Sequence, residues 1–434
     1  MSEGGDSAGT VSTAAAGVTA AAGVTGIGAA AWRRGAGLAG AAVGIVAAGA
    51  AVGVAVERLT VGRGMRRKAR LALDAAGPYG TLRGTPGTAV AEDGTELYYE
   101  VDEVDGGPDE GADGAGRPAR EGRPRFFGRR PAPAVTVVFS HGYCLAQDSW
   151  HFQRAALRGV VRTVYWDQRS HGRSARGKAQ RDGREPVSID LLGRDLKAVI
   201  DAAAPEGPLV LVGHSMGGMT TMALADQFPA LIAERVVGAA FIGTSSGLLS
   251  EVTYGLPAAG MNLVRRAVLP GAFRLMADRT ELVEKGRRAT AEFIGAIIKR
   301  YSFGSRDVDP AVARFAERLI EATPVDVVAE FYPAFDAHDK LAALGAFGDR
   351  PVLVLAGDKD LVIPSGHSEV IASALPDADL VIVPGAGHLV MMERSELVSE
   401  RLTELLGAVA GRFAGSPSAG RNRWARTDRR AAPE

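Results

Sequence analysis

One serine in this sequence stands where its hydroxyl could act as a nucleophile. Gly213-His214-Ser215-Met216-Gly217 follows the apolar run Leu209 to Val212 and leads into a helical pattern through Gly218, Met219 and Thr220. A strand, a sharp turn and a helix in that order hold a serine exposed on strained backbone. Gly213 and Gly217 matter physically, because such a turn leaves no room for a Cβ beside neighbouring backbone. In a chain with 56 glycines a G-x-S-x-G match arises easily by chance. The strand-turn-helix setting is what gives this one weight.

A serine hydroxyl is a poor nucleophile until a base takes its proton, and the base needs an acid to hold its tautomer. His388 closes the segment Pro384-Gly385-Ala386-Gly387-His388, after the apolar run Leu380 to Val383 and before a helix predicted to begin near Arg394. That puts an imidazole on a loop at the C-terminal end of a strand, where doubly wound sheets build their sites. Asp358 and Asp360 both follow the run Pro351 to Ala356, and position alone leaves the choice of acid open. The attacked carbonyl develops charge on oxygen, for which backbone N–H donors must be waiting. Met216, the residue after the nucleophile, supplies one.

With these segments in this order, residues 134 to 411 resemble the α/β-hydrolase family, in particular its epoxide-hydrolase-like and haloperoxidase-like esterases. In that family the acid occupies the fourth position of a G-x-x-D-x-x-x-P pattern. Gly357, Asp360 and Pro364 match it, so the resemblance implies Asp360, with Asp358 as a turn or N-cap residue. Relatives that carry the acid after the sixth strand have a carboxylate where this chain reads Gly243-Thr244-Ser245-Ser246. His141-Gly142-Tyr143 looks like the family's His-Gly oxyanion segment, which implies Tyr143 N–H as the second donor. Asp167-Gln168-Arg169-Ser170-His171-Gly172-Arg173-Ser174 is similar to the D-x-R-x-x-G-x-S segment, which implies a bracing role.

The expected reaction is two-step acyl transfer from a carboxylic ester, with a lipophilic acyl group, through an acyl-enzyme on Ser215. A serine at the elbow argues against epoxide and haloalkane chemistry, which need a carboxylate there. Acyl transfer to another acceptor and cofactor-free perhydrolysis would use the same three residues. A non-catalytic binding protein of this fold is the alternative of another class. No cofactor is expected, and no Cys/His cluster has metal-ligand spacing. Cys144, the single cysteine, is read as a small buried apolar residue. His141 is read as a hydrogen-bonding support, and His151, His171 and His338 as structural or surface residues.

These residues need a frame. Val135 to Phe139, Thr163 to Trp166, Leu209 to Val212, Val236 to Ile242, Pro351 to Ala356 and Leu380 to Val383 are short and almost wholly apolar, as strands buried on both faces are. Helical stretches such as Ser188 to Ala204 and Gly217 to Gln227 lie between them, giving repeated βα units. Thr88 to Ala91 and Glu96 to Val101 flank Asp93-Gly94, a hairpin turn that would open the sheet with antiparallel strands. From Ser246 to about Leu344 only helical patterns occur, including Leu256 to Met276, Glu281 to Arg300 and Pro310 to Glu321. The fold class is therefore α/β, a mostly parallel doubly wound sheet with an all-helical cap inserted after the sixth strand. The predicted division is a core at 88–246 and 346–411, a cap at 247–345, and a flexible Gly/Pro/Arg insertion at 103–133.

Fifty basic residues balance fifty acidic ones, which gives no electrostatic reason to expect a nucleic-acid partner. Residues 1–34 are too poor in large apolar side chains to build a core and read as disordered. Gly35 to Val56 is an uncharged run of 22 residues, long enough for one membrane crossing, although 15 of them are Gly or Ala. The basic linker 57–87 that follows favours a single-pass anchor with a cytoplasmic catalytic part, a soluble cytoplasmic chain being the alternative. Residues 412–434 form a basic Gly/Ser/Pro tail read as disordered.

Overall fold

Strands whose side chains are apolar on both faces have no side to give to water, so they settle in the middle of a sheet covered twice. A computed structural model describes residues 77–105, 135–182, 186–252 and 298–414, with isolated positions 72, 75 and 271, and shows this arrangement. One sheet contains β1 Thr85–Val90, β2 Glu96–Asp102, β3 Thr136–Ser140, β4 Arg162–Trp166, β5 Leu209–His214, β6 Val236–Ile242, β7 Val352–Gly357 and β8 Asp379–Val383. Its spatial order is β1-β2-β4-β3-β5-β6-β7-β8. The β1/β2 and β2/β4 pairs are antiparallel, and every pair from β4 to β8 is parallel. This is the mostly parallel sheet with an antiparallel start that the apolar runs predict. The first strand begins at Thr85 rather than Thr88, and Gly94 takes φ +78° in the hairpin turn.

Alternate residues of the strands feed two separate cores. Val138, Leu211, Phe241 and Val354 join Leu196, Val199 and Ile200 on one face of the sheet. Phe139, Val212, Ile242 and Leu355 join Val398, Leu402 and Val409 on the other. Full burial of each such side chain contributes about 1.5–3 kcal/mol. The covering helices are α1 His151–Leu157, α2 Ile189–Ala203, α3 Met216–Gln227, α4 Pro229–Arg235, α5 Pro310–Ala322, α6 Val325–Asp336, α7 Gly366–Ala374 and α8 Ser395–Ala414. Ser188 caps α2, its Oγ accepting the Leu191 N–H at 3.1 Å.

The chain leaves β3 toward β4 on one side and then places β5 on the other side of β3. That reversal opens a crevice at the C-terminal ends of β3 and β5, where Ser140 pairs with Gly213. Between β6 and β7 the described residues include α5, α6 and a 3₁₀ segment, Leu341–Phe347, and no strand. Asp309 starts α5 by accepting the Ala311 N–H at 2.7 Å. Helix α6 is tied to the core by Arg176, which reaches Asp326 at 2.6 Å and Glu330 at 2.5 Å.

The expected helix Leu256 to Met276 lies outside the described residues apart from position 271. That at Glu281 to Arg300 lies outside them apart from residues 298–300, which are helical. The expected disordered N-terminus, the span at 35–56, the basic tail beyond 414 and nearly all of the 103–133 insertion also lie outside them. Among the described residues no helix is long and apolar enough to cross a membrane. Within the stretch read as a linker, Tyr79 packs on the body, its ring centroid 5.3 Å from that of His151 and 5.7 Å from that of Phe315.

Candidate active site

The crevice holds Ser215 at the turn between β5 and α3. Its backbone sits at φ +52°, ψ −120°, a conformation that costs a non-glycine residue about 1–3 kcal/mol and persists only when its surroundings dictate it. The Ser215 N–H donates to Ile242 O at 2.9 Å, and its carbonyl accepts from Thr244 Oγ1 at 2.7 Å. A Cβ on Gly213 would stand 2.5 Å from Gly217 O and Gly218 N, and one on Gly217 would strike the Ser140 carbonyl. The turn is therefore closed by backbone on both sides, which is why both flanking positions lack side chains.

His388 and Asp360 arrive from neighbouring strand ends. Ser215 Oγ lies 3.1 Å from His388 Nε2, although 173 residues separate them in sequence. His388 Nδ1 lies 2.8 Å from Asp360 Oδ2. A carboxylate can only accept here, so the imidazole proton sits on Nδ1 and leaves Nε2 free to take the serine proton. The other carboxylate oxygen is occupied: Asp360 Oδ1 accepts the N–H groups of Val362 and Ile363 at 2.8 and 2.9 Å. Asp358 instead accepts the Gly385 N–H at 2.6 Å, on the turn that leads to His388.

The loop after β3 passes close to the nucleophile. A Cβ at Gly142 would be 3.2 Å from Ser215 Cβ, and Tyr143 follows directly. Met216 opens α3, where the first N–H groups have no intrahelical acceptor. The Tyr143 O–H donates to Val328 O of α6 at 2.5 Å. His141 is fully buried and holds the loop from beneath. Its Nε2 accepts the Gln168 N–H at 2.9 Å, and its Nδ1–H donates to Gly142 O at 2.7 Å. Burial, with His171 nearby, pushes its pKa down to about 3, so the ring stays neutral.

The segment after β4 braces these loops. Asp167 accepts the N–H groups of Gln147 at 2.7 Å and Arg173 at 2.9 Å, while burial raises its pKa to about 6. Arg169 makes two bonds to Asp195 on α2, at 2.5 and 2.6 Å. His171 accepts the Cys144 N–H at 3.2 Å and donates to Arg169 O at 2.9 Å. Cys144 is a correction: it is half-buried rather than buried, because the loop turns there at φ +58° instead of running into the core. His151 is also half-buried, and His338 is buried.

One supporting residue, Glu393, escaped the sequence reading, and the contacts of another, Gln168, were read only as general bracing. Glu393, just before the helix predicted to begin near Arg394, accepts the N–H of Gly387 at 2.8 Å, beside His388. It also accepts those of Gly304 at 3.0 Å and Ser305 at 2.8 Å. Gln168 donates to His141 O at 2.5 Å and accepts from Thr220 Oγ1 at 2.8 Å, joining the loop after β3 to α3. Contacts of this reach carry no local signal; only the D-x-R-x-x-G-x-S segment pointed toward Gln168. Among the described residues no group of His, Cys, Asp and Glu is arranged to hold a metal ion.

The profile of the alpha/beta hydrolase fold family matches residues 135–395. A Pseudomonas putida protein named as the dihydrolipoyllysine-residue acetyltransferase component of an acetoin cleaving system is 26% identical over 282 residues, which are 65% of this chain and 66% of that protein. The chain thus spans about two thirds of that relative's length. An sn-1-specific diacylglycerol lipase of Mus musculus is 26% identical over 63% of this chain and 82% of its own. Among solved structures, a thermophilic esterase from Thermogutta terrifontis superposes with a TM-score of 0.52 at 22% identity, over 75% of this chain and 98% of its own.

Proposed function

The chain belongs to the α/β-hydrolase family and is a hydrolase, and from that premise we propose that it cleaves a carboxylic ester through an acyl-enzyme on Ser215. The observation that carries this reading is the unbroken hydrogen-bond path from Ser215 Oγ through the His388 ring to Asp360, with links of 3.1 and 2.8 Å. Ser215 Oγ attacks the ester carbonyl carbon as its proton passes to His388 Nε2. Asp360 stabilises the imidazolium that forms. The N–H groups of Met216 and Tyr143 receive the developing oxyanion. As the tetrahedral species collapses, Nε2 returns its proton to the leaving alcohol. Water then attacks the acyl-serine by the same route and releases the acid.

The acyl group is lipophilic in this proposal. Met216, Met219, Val252, Phe331 and Ile363 form one apolar cluster beside the nucleophile, with Tyr143, Phe335 and Val362 packed on it. Residues 35–56, the expected span, contribute nothing to this reading. A series of p-nitrophenyl esters tests it: kcat/KM should rise from acetyl to medium-chain esters by up to about fourfold per added methylene. A profile that is flat or falls with length would exclude a lipophilic acyl site. One observation favours a second reading, acyl transfer to an acceptor other than water: the acetyltransferase component from Pseudomonas putida is among the relatives. Faster product release on adding alcohols or thiols, with ester or thioester formed, would select it.

A further inference from the structure

Three of the fully buried histidines stand around the crevice, and one of them is bonded differently. His141 and His171 each have partners on both ring nitrogens. His214, the last residue of β5, has a partner only on Nε2, which lies 3.0 Å from the backbone carbonyl of His388. Its Nδ1 is buried and has no hydrogen-bond partner. A carbonyl can only accept, so the single proton of the neutral ring is on Nε2 and Nδ1 is a buried acceptor left unsatisfied. Such a group costs about 1–3 kcal/mol, which an apolar side chain of similar size would avoid. The same replacement would leave the His388 carbonyl without its donor, at a similar cost, so the two effects offset and net stability gives little reason for an imidazole here.

We propose that His214 is a positioning residue for acyl transfer: its Nε2–H holds the His388 carbonyl, so that β5 fixes the base as well as the nucleophile. The proposal rests on the reading of Ser215, His388 and Asp360 given above. His214 and Ser215 are consecutive, so a bond from one to the base loop sets the distance from the other to the base ring. Other anchors of the loop come from elsewhere: Glu393 takes the Gly387 N–H at 2.8 Å, Asp358 takes the Gly385 N–H at 2.6 Å, the Lys359 N–H donates to Ala386 O at 2.9 Å, and the Leu389 N–H donates to Ser302 O at 2.8 Å. None of these refers the imidazole to the serine. The two rings lie 4.9 Å apart, close enough that a cation at 214 would oppose the imidazolium forming at 388. Burial, with His388 beside it, lowers the pKa of His214 well below the ordinary value and keeps it neutral.

The test compares His214→Leu, His214→Gln, His388→Ala and the wild-type full chain. Leucine fills the space with no donor, whereas the glutamine amide can place an N–H near the same carbonyl. Readouts are the second-order rate of labelling by a fluorophosphonate, kcat and KM on a p-nitrophenyl ester, and the melting temperature. His214→Leu should label about ten- to a hundredfold more slowly and lose kcat to match, since displacements of about 1 Å cost that much. KM should stay within about twofold, as expected when only transition-state interactions are lost, and the melting temperature should stay within a few degrees of wild type, because the lost bond and the removed unsatisfied nitrogen offset each other. His214→Gln should recover part of the rate. His214→Leu reacting as fast as wild type, or glutamine falling as far as leucine, would overturn the positioning role. Wild-type labelling by His388→Ala would instead overturn the base assignment, and the proposal with it.

Discussion

Asp358 and Asp360 stand two residues apart on the loop after β7, and only Asp360 faces the imidazole, 2.8 Å from Nδ1. Asp360→Asn keeps the shape but can donate to Nδ1 and favour the wrong tautomer, so kcat should fall by about 10⁴, the size of that effect in serine proteases. Asp358→Asn removes a charge from the turn at Gly385 and should leave kcat within a few-fold. Steady-state kinetics on one ester decides between them, and equal losses would mean that the acid is misassigned. At this scale the sequence was most legible where chemistry is written locally. Ser215 with its flanking glycines, and His388 at a strand end, can be read in a few residues. Position left two acids open, and the spacing of Gly357, Asp360 and Pro364 separated them only through the family pattern. The roles of Glu393 and His214 were not legible, because each depends on a backbone group brought near by the fold.

Helices α2 and α3 meet at Gly193, where a Cβ would lie 2.8 Å from the Ala223 carbonyl carbon and the Leu224 nitrogen. Alanine is the better helix former by about 1 kcal/mol. Overpacking against backbone that cannot turn aside costs about 1–3 kcal/mol, and two such contacts place the cost at the upper end. Gly193→Ala should therefore lower the melting temperature by a few degrees. A rise would show that propensity outweighs packing and that the helices are not this close. Strands were legible as elements because a stretch apolar at every position has few other places to go. Helix α6 falls inside the stretch read as helical but was not singled out as a segment, because Pro333 stands inside it and interrupts the pattern. Its ties to the core, Arg176 with Asp326 and Glu330, join residues 150 and 154 positions apart.

For the whole molecule the buried histidines set a pH dependence. Unfolded imidazoles take a proton near pH 6.5, whereas burial holds His141 at about 3, His171 at about 4 and His214 well below 6.5. Through that window the unfolded chain binds more protons than the folded one, so stability falls as pH drops from about 6.5 toward 4. Asp167, raised by burial from 3.8 to about 6, acts in the opposite sense, as do Asp195 and Glu330, also raised by burial; His151, His338 and His367, lowered by burial, add to the first three histidines, so six groups stand against three. Thermal melts at pH 7.5 and pH 5 should show a lower transition in acid, with a smaller drop for His171→Gln; a pH-independent transition in both would contradict this. The doubly wound architecture was legible at this scale because β and α patterns alternate along the chain. Bulk composition said little about chemistry, since balanced charge and an excess of small residues suit many proteins. The most direct test of the account is intact-mass analysis after exposure to a fluorophosphonate. Wild type should gain one adduct, on Ser215, and Ser215→Ala none; equal modification of the two, or of neither, would contradict a nucleophilic serine at the centre of this molecule.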